Sequence, residues 1–100
     1  MTEPQDIFSA VKVALRVTAA DDGLDAEISD LIAAAKADLG LSGVELLVDT
    51  DPLVRIAIIT YCKSRYGFDN PESEKLARSF HSMKLALRCS AKYTVVADEI

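Results

Sequence analysis

The chain has few of the residues that build catalytic or metal centres. Its 100 residues include one histidine, His81, two cysteines, Cys62 and Cys89, and no tryptophan. The cysteines form no Cys-x-x-Cys pair, and a histidine without a nearby carboxylate or thiol rarely serves as a general base. The four glycines are not arranged as a phosphate-binding loop. We therefore expect no enzymatic activity, cofactor or metal, and two reduced thiols buried in the core or an interface.

Basic residues and long apolar runs are also scarce. Eleven Lys and Arg against 16 Asp and Glu give a net charge of −5, which argues against a surface that grips nucleic-acid phosphates. No apolar run approaches the ~20 residues needed to cross a bilayer, and the N-terminus does not resemble a signal peptide. Half the residues are apolar, enough for one core, so we expect a single domain over residues 1–100, with residues 94–100 as a tail.

Apolar residues recur at helical spacing in four stretches. Helices are predicted at about residues 6–17, 24–39, 52–66 and 71–91, with Gly40 ending the second. The third is apolar round most of its circumference, which indicates that other helices surround it. The predicted fold class is all-α: a compact bundle of about four helices with a long C-terminal helix and a short extended tail.

Two segments are not predicted to be helical. Residues 41–51 are too apolar for a free loop and too short for an ordinary helix, so we expect a brief strand or a covered extended segment. Thr94, Val95 and Val96 favour extended backbone. This tail either docks on a partner, by adding a strand to an exposed edge, or folds back on its own helices, and the sequence leaves both alternatives open.

The junction between the third and fourth helices carries a sharp local signal. Gly67 follows an apolar run and suits the left-handed conformation that closes a helix. Asn70 can cap the next helix, and Pro71 can occupy its first position because no amide hydrogen is needed there. The three residues together predict a rigid elbow.

The last predicted helix carries an apolar seam, with spacings of three and four residues, and several cations. Most of the seam is expected to pack on the third helix and the rest on a neighbouring subunit. The cations are typical of a solvated helix face, and a partner-docking strip is the alternative. The candidate interface residues are Leu76, Phe80, Met83, Leu87, Lys84, Arg88, Tyr93, Val95 and Val96.

An ordered set of short matches runs along the second half of the chain. Its parts are Asp51–Lys63, the junction Arg65–Pro71, Glu74–Lys75, Ser79–Phe80 and Met83–Leu85. With these residues the chain resembles the head–tail connector (adaptor) proteins of tailed bacteriophages and prophages, over roughly residues 6 to 93.

The resemblance implies a non-enzymatic virion assembly protein at the head–tail interface, assembled in the host cytoplasm. It implies a ring, dodecameric in the virion, that docks on the portal protein. The ring would carry tail or head-completion proteins, and DNA would pass through it without sequence-specific binding. An acidic lumen suits such passage, because a basic one would hold phosphates.

A protein of another class is the alternative: a small helical DNA-binding regulator of helix-turn-helix type. Residues 40–43, Gly-Leu-Ser-Gly, would suit a turn between two helices. The acidic balance argues against it, as does a third helix without the basic and amide side chains that read bases.

Overall fold

The computed structural model describes residues 6–16, 22–48, 50–66 and 71–94. The helices in these ranges are α1 (Ile7–Ala14), α2 (Asp22–Leu41), α3 (Pro52–Arg65), α4 (Ser73–Arg88) and α5 (Ala91–Thr94). No strand occurs among the described residues, and the predicted all-α class is confirmed. Within the same ranges, every helix is too short or too polar to span a bilayer.

The third helix lies at the centre of the bundle, as its all-round apolar character predicts. Asp51 caps α3, and Pro52 occupies its first turn, where a missing amide hydrogen has no cost. The helix packs on α1, α2 and α4. Side chains on several of its faces are therefore fully buried, including Val54, Ile58 and Cys62.

The first two helices cover one side of α3 through apolar stripes at helical spacing. On α2, Ile28, Ala35 and Leu39 are fully buried. On α1, Val11 is fully buried. An ion pair between Lys12 Nζ and Asp25 Oδ1, 3.0 Å apart, joins α1 to α2.

The second helix ends at a Schellman motif centred on Gly43, not at Gly40. Gly40 lies inside α2, and Gly43 has a φ of +108°. The Gly43 amide donates to the Gly40 carbonyl at 3.1 Å and the Val44 amide to the Leu39 carbonyl at 3.0 Å. This bond pair defines the motif, and the burial of Leu39 and Val44 supplies its usual apolar contact. The prediction for Gly40 was wrong because Val44 must turn back into the core.

The two glycines are expected to respond oppositely to alanine. Gly43→Ala should lower the free energy of unfolding by about 1 to 2 kcal/mol, because an L-residue is strained at a left-handed position. A Cβ at Gly43 would meet no atom within 4 Å, so the loss reports the backbone alone. Gly40→Ala should raise the free energy by about 0.5 to 1 kcal/mol, since alanine favours the helix. Urea denaturation measures both, and equal effects would contradict the assigned helix end.

The segment after this motif is covered but has no regular structure. Val44 is buried, and Leu46 and Leu47 pack partly against the core. The amides of Glu45 and Leu46 donate to the Tyr93 carbonyl at 2.7 and 3.1 Å. Of the two alternatives for residues 41–51, the residues of this segment that the structure describes form the covered segment and no strand.

The fourth helix is shorter than predicted at both ends. Pro71 and Glu72 form a turn, and α4 begins at Ser73 without a side-chain cap at Glu72. Because the Glu72 carbonyl accepts the first helical bond, from Leu76 at 2.9 Å, Pro71 precedes the helix and does not begin it. Gly67 and Asn70 lie outside the described residues, so the elbow itself stays a prediction.

The other end of α4 differs because the chain bends into the core. The helix stops at Arg88, and a separate short helix, α5, follows from Ala91. Thr94 belongs to α5 and donates from its hydroxyl to the Ser90 carbonyl at 3.1 Å. The prediction that the extended tail begins at Thr94 was therefore wrong; Val95 and Val96 lie outside the described residues.

Candidate interaction surface

The residues with chemical potential are separated from one another. His81 is exposed on α4. Both cysteines are free, but only Cys62 is buried, and burial raises the pKa of its thiol to about 11, so it stays protonated. Cys89 is exposed at the end of α4, so it is not a core thiol, and its place in an interface stays a prediction. In the described part of the chain, no three His, Cys, Asp or Glu side chains come together as metal ligands.

An apolar groove between α3 and α4 is the most distinctive surface feature. Its volume is about 230 Å³. We call it the α3–α4 groove, and it is lined by Leu53, Ile56, Met83, Ala86, Leu87, Ser90 and Tyr93. The lining residues of each long helix are three or four positions apart and so share one face. The only polar side chains among them belong to Ser90 and Tyr93.

Two α3 side chains in the groove are half exposed although they are large and apolar. Leu53 is 55% exposed and Ile56 is 50% exposed. They lie one helical turn apart and form one wall of the groove. Single exposed apolar residues are ordinary on protein surfaces, but a contiguous concave apolar patch usually binds something.

Tyr93 closes the groove at the end where α5 begins. Its ring is buried, and its hydroxyl donates to the Asp51 carboxylate, 2.9 Å from Oδ1 and 3.1 Å from Oδ2. Asp51 also accepts from the amides of Leu53 and Val54, at 3.0 and 3.3 Å. Lys92 Nζ lies 3.7 Å from Asp51 Oδ2. One carboxylate therefore caps α3 and fastens α5 to it.

This network shifts the pKa values of both partners. Desolvation acts to raise the pKa of Asp51, but the hydrogen bonds from Val54, Tyr93 and Leu53 and the charge of Lys92 outweigh it, so the pKa is lowered. Desolvation also raises the pKa of Tyr93, and its bond to the Asp51 carboxylate raises it further. Asp51 is therefore held ionised and Tyr93 is held as a neutral donor.

The predicted seam of α4 is divided between the core and the surface. Phe80, Leu87 and Tyr93 are buried by their own chain, and Phe80 packs edge-on against Tyr61 with ring centroids 5.0 Å apart. Leu76 and Met83 are partly exposed. Most of the seam was predicted to pack on the third helix, and the contact between Phe80 of α4 and Tyr61 of α3 agrees with that. Contact with another subunit stays a prediction, and the accessible seam residues are the ones available for it.

The cations of the last helices are mostly engaged within the chain. Lys84 Nζ lies 2.7 Å from Asp38 Oδ1 and ties α4 to α2. Arg78 faces Glu74 one turn earlier at 3.9 Å, an exposed pair that contributes little. Arg88 is exposed. The solvated-face interpretation therefore accounts for most of these charges, and Lys84 has a structural role in addition.

Sequence reasoning missed Leu53 and Ile56 as surface residues. The signal for them is indirect: a helix that is apolar on nearly every face has more apolar surface than three neighbouring helices can cover. Which face stays uncovered depends on where α4 and α5 cross α3, and no local pattern records that.

Comparison with known proteins identifies a family that the chain matches. A model of the family described as phage connector protein matches residues 7–94, a range that includes every helix among the described residues. No curated protein matches the chain. No solved structure matches it either. Because the matched range covers most of the sequence and the whole described bundle, the chain belongs to the phage connector proteins, the head–tail connectors that are structural components of the virion.

Proposed function

We propose that this protein is a ring-forming connector that docks on the portal vertex of a phage head. The ring is dodecameric in the virion and provides the attachment platform for tail or head-completion proteins. The observation that carries the proposal is the family match over residues 7–94. It includes the helices and the connections between them, so the likeness concerns the whole domain and not one motif.

The charge of the chain supports passage of DNA without binding. Its net charge is −5, and the cations Lys12, Lys84 and Lys92 are near carboxylates of the same chain. A surface of this kind offers few free cations to phosphates. We propose that DNA slides through the ring and that no sequence is read.

The helix-turn-helix alternative loses support from the connection between α2 and α3. Helix-turn-helix motifs join their two helices by a turn of about three to four residues. Here α2 ends at Leu41 and α3 begins at Pro52, with the buried Val44 between them. The third helix is also central in the bundle, so most of its surface is not available to a DNA groove.

Within this proposal, partner contact falls on α4. Of its residues only Phe80 and Leu87 are buried, so most of the helix faces outward. Leu85 is 40% exposed on the side opposite Met83, because two residues correspond to about 200° of helix rotation. We propose that Leu85 and Arg88 contact the portal protein, with Leu85 as the apolar anchor.

Assembly on the portal tests the function directly. We expect dilute protein to be a monomer or a loose oligomer by size-exclusion chromatography with light scattering. On addition of the portal protein encoded by the same phage genome, rings coaxial with the portal should appear by electron microscopy. Leu85→Asp should weaken portal binding about tenfold or more. Ala33→Asp, on an exposed position of α2, is the matched control and should bind normally.

Two results would contradict the proposal. The first is a tight dimer that does not depend on concentration and does not bind the portal, because closed two-fold pairing leaves no surface for a ring. The second is micromolar or tighter binding of labelled duplex DNA at low salt, which would favour the regulator.

A further inference from the structure

The α3–α4 groove needs an apolar occupant, and its position in the chain indicates which one. Tyr93 forms one end of the groove, and Thr94 is the last described residue. Consecutive Cα atoms are ~3.8 Å apart, so residue 95 begins directly beside Thr94. Thr94 in turn follows Tyr93, which lines the groove. Residues 95–100 begin at the edge of an uncovered apolar surface.

Residues 95–100 contain the apolar side chains that an apolar groove binds. The segment reads Val-Val-Ala-Asp-Glu-Ile and supplies three large apolar side chains, Val95, Val96 and Ile100. Covering Leu53 and Ile56 would remove apolar area from water. Asp98 and Glu99 add negative charge, and two cations, Arg88 and Lys92, stand next in sequence to the lining residues Leu87 and Tyr93.

The length of this segment is also sufficient. Six residues span up to ~20 Å when extended. The lining of α4 runs from Met83 to Leu87, four positions or ~6 Å at 1.5 Å per residue, and Ser90 continues the lining towards α5. The segment can therefore follow the groove along its whole length from its attachment at α5.

We propose that residues 95–100 lie in the α3–α4 groove of their own chain in the free subunit. The covalent attachment favours this arrangement over a second copy, because a short tether gives an effective concentration on the order of millimolar. A segment from another molecule competes only when the protein itself reaches that concentration. The inference concerns the free subunit and stands whether or not the chain forms rings.

The covered groove has a consequence for assembly. A free subunit with its groove filled shows less apolar surface and is less prone to nonspecific association.

Disulfide trapping tests where the segment lies. The variant Ala86→Cys with Val96→Cys places one thiol in the groove and one in the segment, with Cys89→Ser to remove the exposed native thiol. Cys62 is buried and stays in place. After mild oxidation of dilute protein, we expect a disulfide within one chain, seen as faster migration on a non-reducing gel and as loss of two free thiols.

The matched control moves the helix thiol to the other side of α4. Ala77 is nine residues before Ala86, so it lies about 180° away round the helix, and it is exposed. Ala77→Cys with Val96→Cys should not form the intrachain disulfide. Equal trapping in both variants, or none with Ala86→Cys, would overturn the proposal. A disulfide-linked dimer as the main product would overturn it too, in favour of a second copy as the occupant. None of these results bears on portal binding.

Discussion

Replacing Ile58 by alanine is expected to lower the free energy of unfolding by about 2 to 5 kcal/mol. Ile58 is 0% exposed and lies in the middle of α3, the helix on which α1, α2 and α4 pack. Removing its branched side chain loses apolar burial and leaves a cavity that three neighbouring helices cannot easily close. Urea or guanidinium denaturation measures the loss.

Ile56 provides a matched control two residues away on the same helix. Its side chain is 50% exposed in the described part of the chain, and residues 95–100 would cover it only from the groove side, so Ile56→Ala should cost about half as much as Ile58→Ala or less. The comparison holds residue type, helix and substitution constant and changes only burial. Equal losses at the two positions would contradict the arrangement of α3 in the bundle.

The same pair of residues shows how far sequence reasoning extends. The central position of α3 follows from its composition, since a helix apolar on all faces must be surrounded. Because every face of α3 is apolar, the composition does not indicate which face is buried and which is exposed. Ile56 and Ile58 are indistinguishable by residue type, and only the crossing of α4 and α5 over α3 makes one a core residue and the other a groove residue.

The end of α2 shows a different limit. Gly40 and Gly43 are both plausible helix terminators. The choice between them depends on Val44, which is 1% exposed and must enter the core directly after the turn. Burial of a residue beyond the helix therefore decides where the helix ends, and propensities within the helix do not contain that information.

The break between α4 and α5 is caused by contacts between residues that are far apart in sequence. The seam of α4 predicts a continuous helix to about residue 91. In the structure, Tyr93 donates to Asp51, and its carbonyl accepts from Glu45 and Leu46. These partners are more than 40 positions away in sequence, so the contacts that define this end of the groove leave no local pattern. Tyr93 was identified as an interface residue, whereas the structure shows it buried within its own chain.

Asp51→Ala is expected to lower the melting temperature by roughly 10 °C, because the carboxylate serves two helices at once. Its loss leaves the amides of Leu53 and Val54 without their cap and the buried Tyr93 hydroxyl without its acceptor. A buried donor with no partner is more costly than an absent one. Thermal unfolding followed by circular dichroism measures the change, and hydrogen exchange should show α5 opening before the rest of the bundle.

Asp6→Ala is the control for the capping part of this effect. Asp6 caps α1 by accepting from the Ser9 amide at 2.7 Å and is exposed. Its removal should lower the melting temperature by only about 5 °C or less. If the two substitutions cost the same, the bond between Asp51 and Tyr93 adds nothing to stability, and α5 is held by its packing and by the backbone hydrogen bonds that the Tyr93 carbonyl accepts.

Acid should weaken the fold through the same carboxylate. The pKa of Asp51 is lowered in the folded protein, so the folded state binds its proton less readily than the unfolded chain. The contribution of Asp51 is then complete above roughly pH 5 and is lost as the pH falls through the folded pKa, below about pH 4.

Asp51→Asn keeps an oxygen that can cap α3 but cannot ionise. This variant should be less stable than the original protein near neutral pH and should lose less stability between about pH 6 and pH 3. Parallel pH profiles for the two proteins would mean that other carboxylates govern the acid response. They would also mean that the hydrogen bonds of Asp51 do not change its pKa between the folded and the unfolded state.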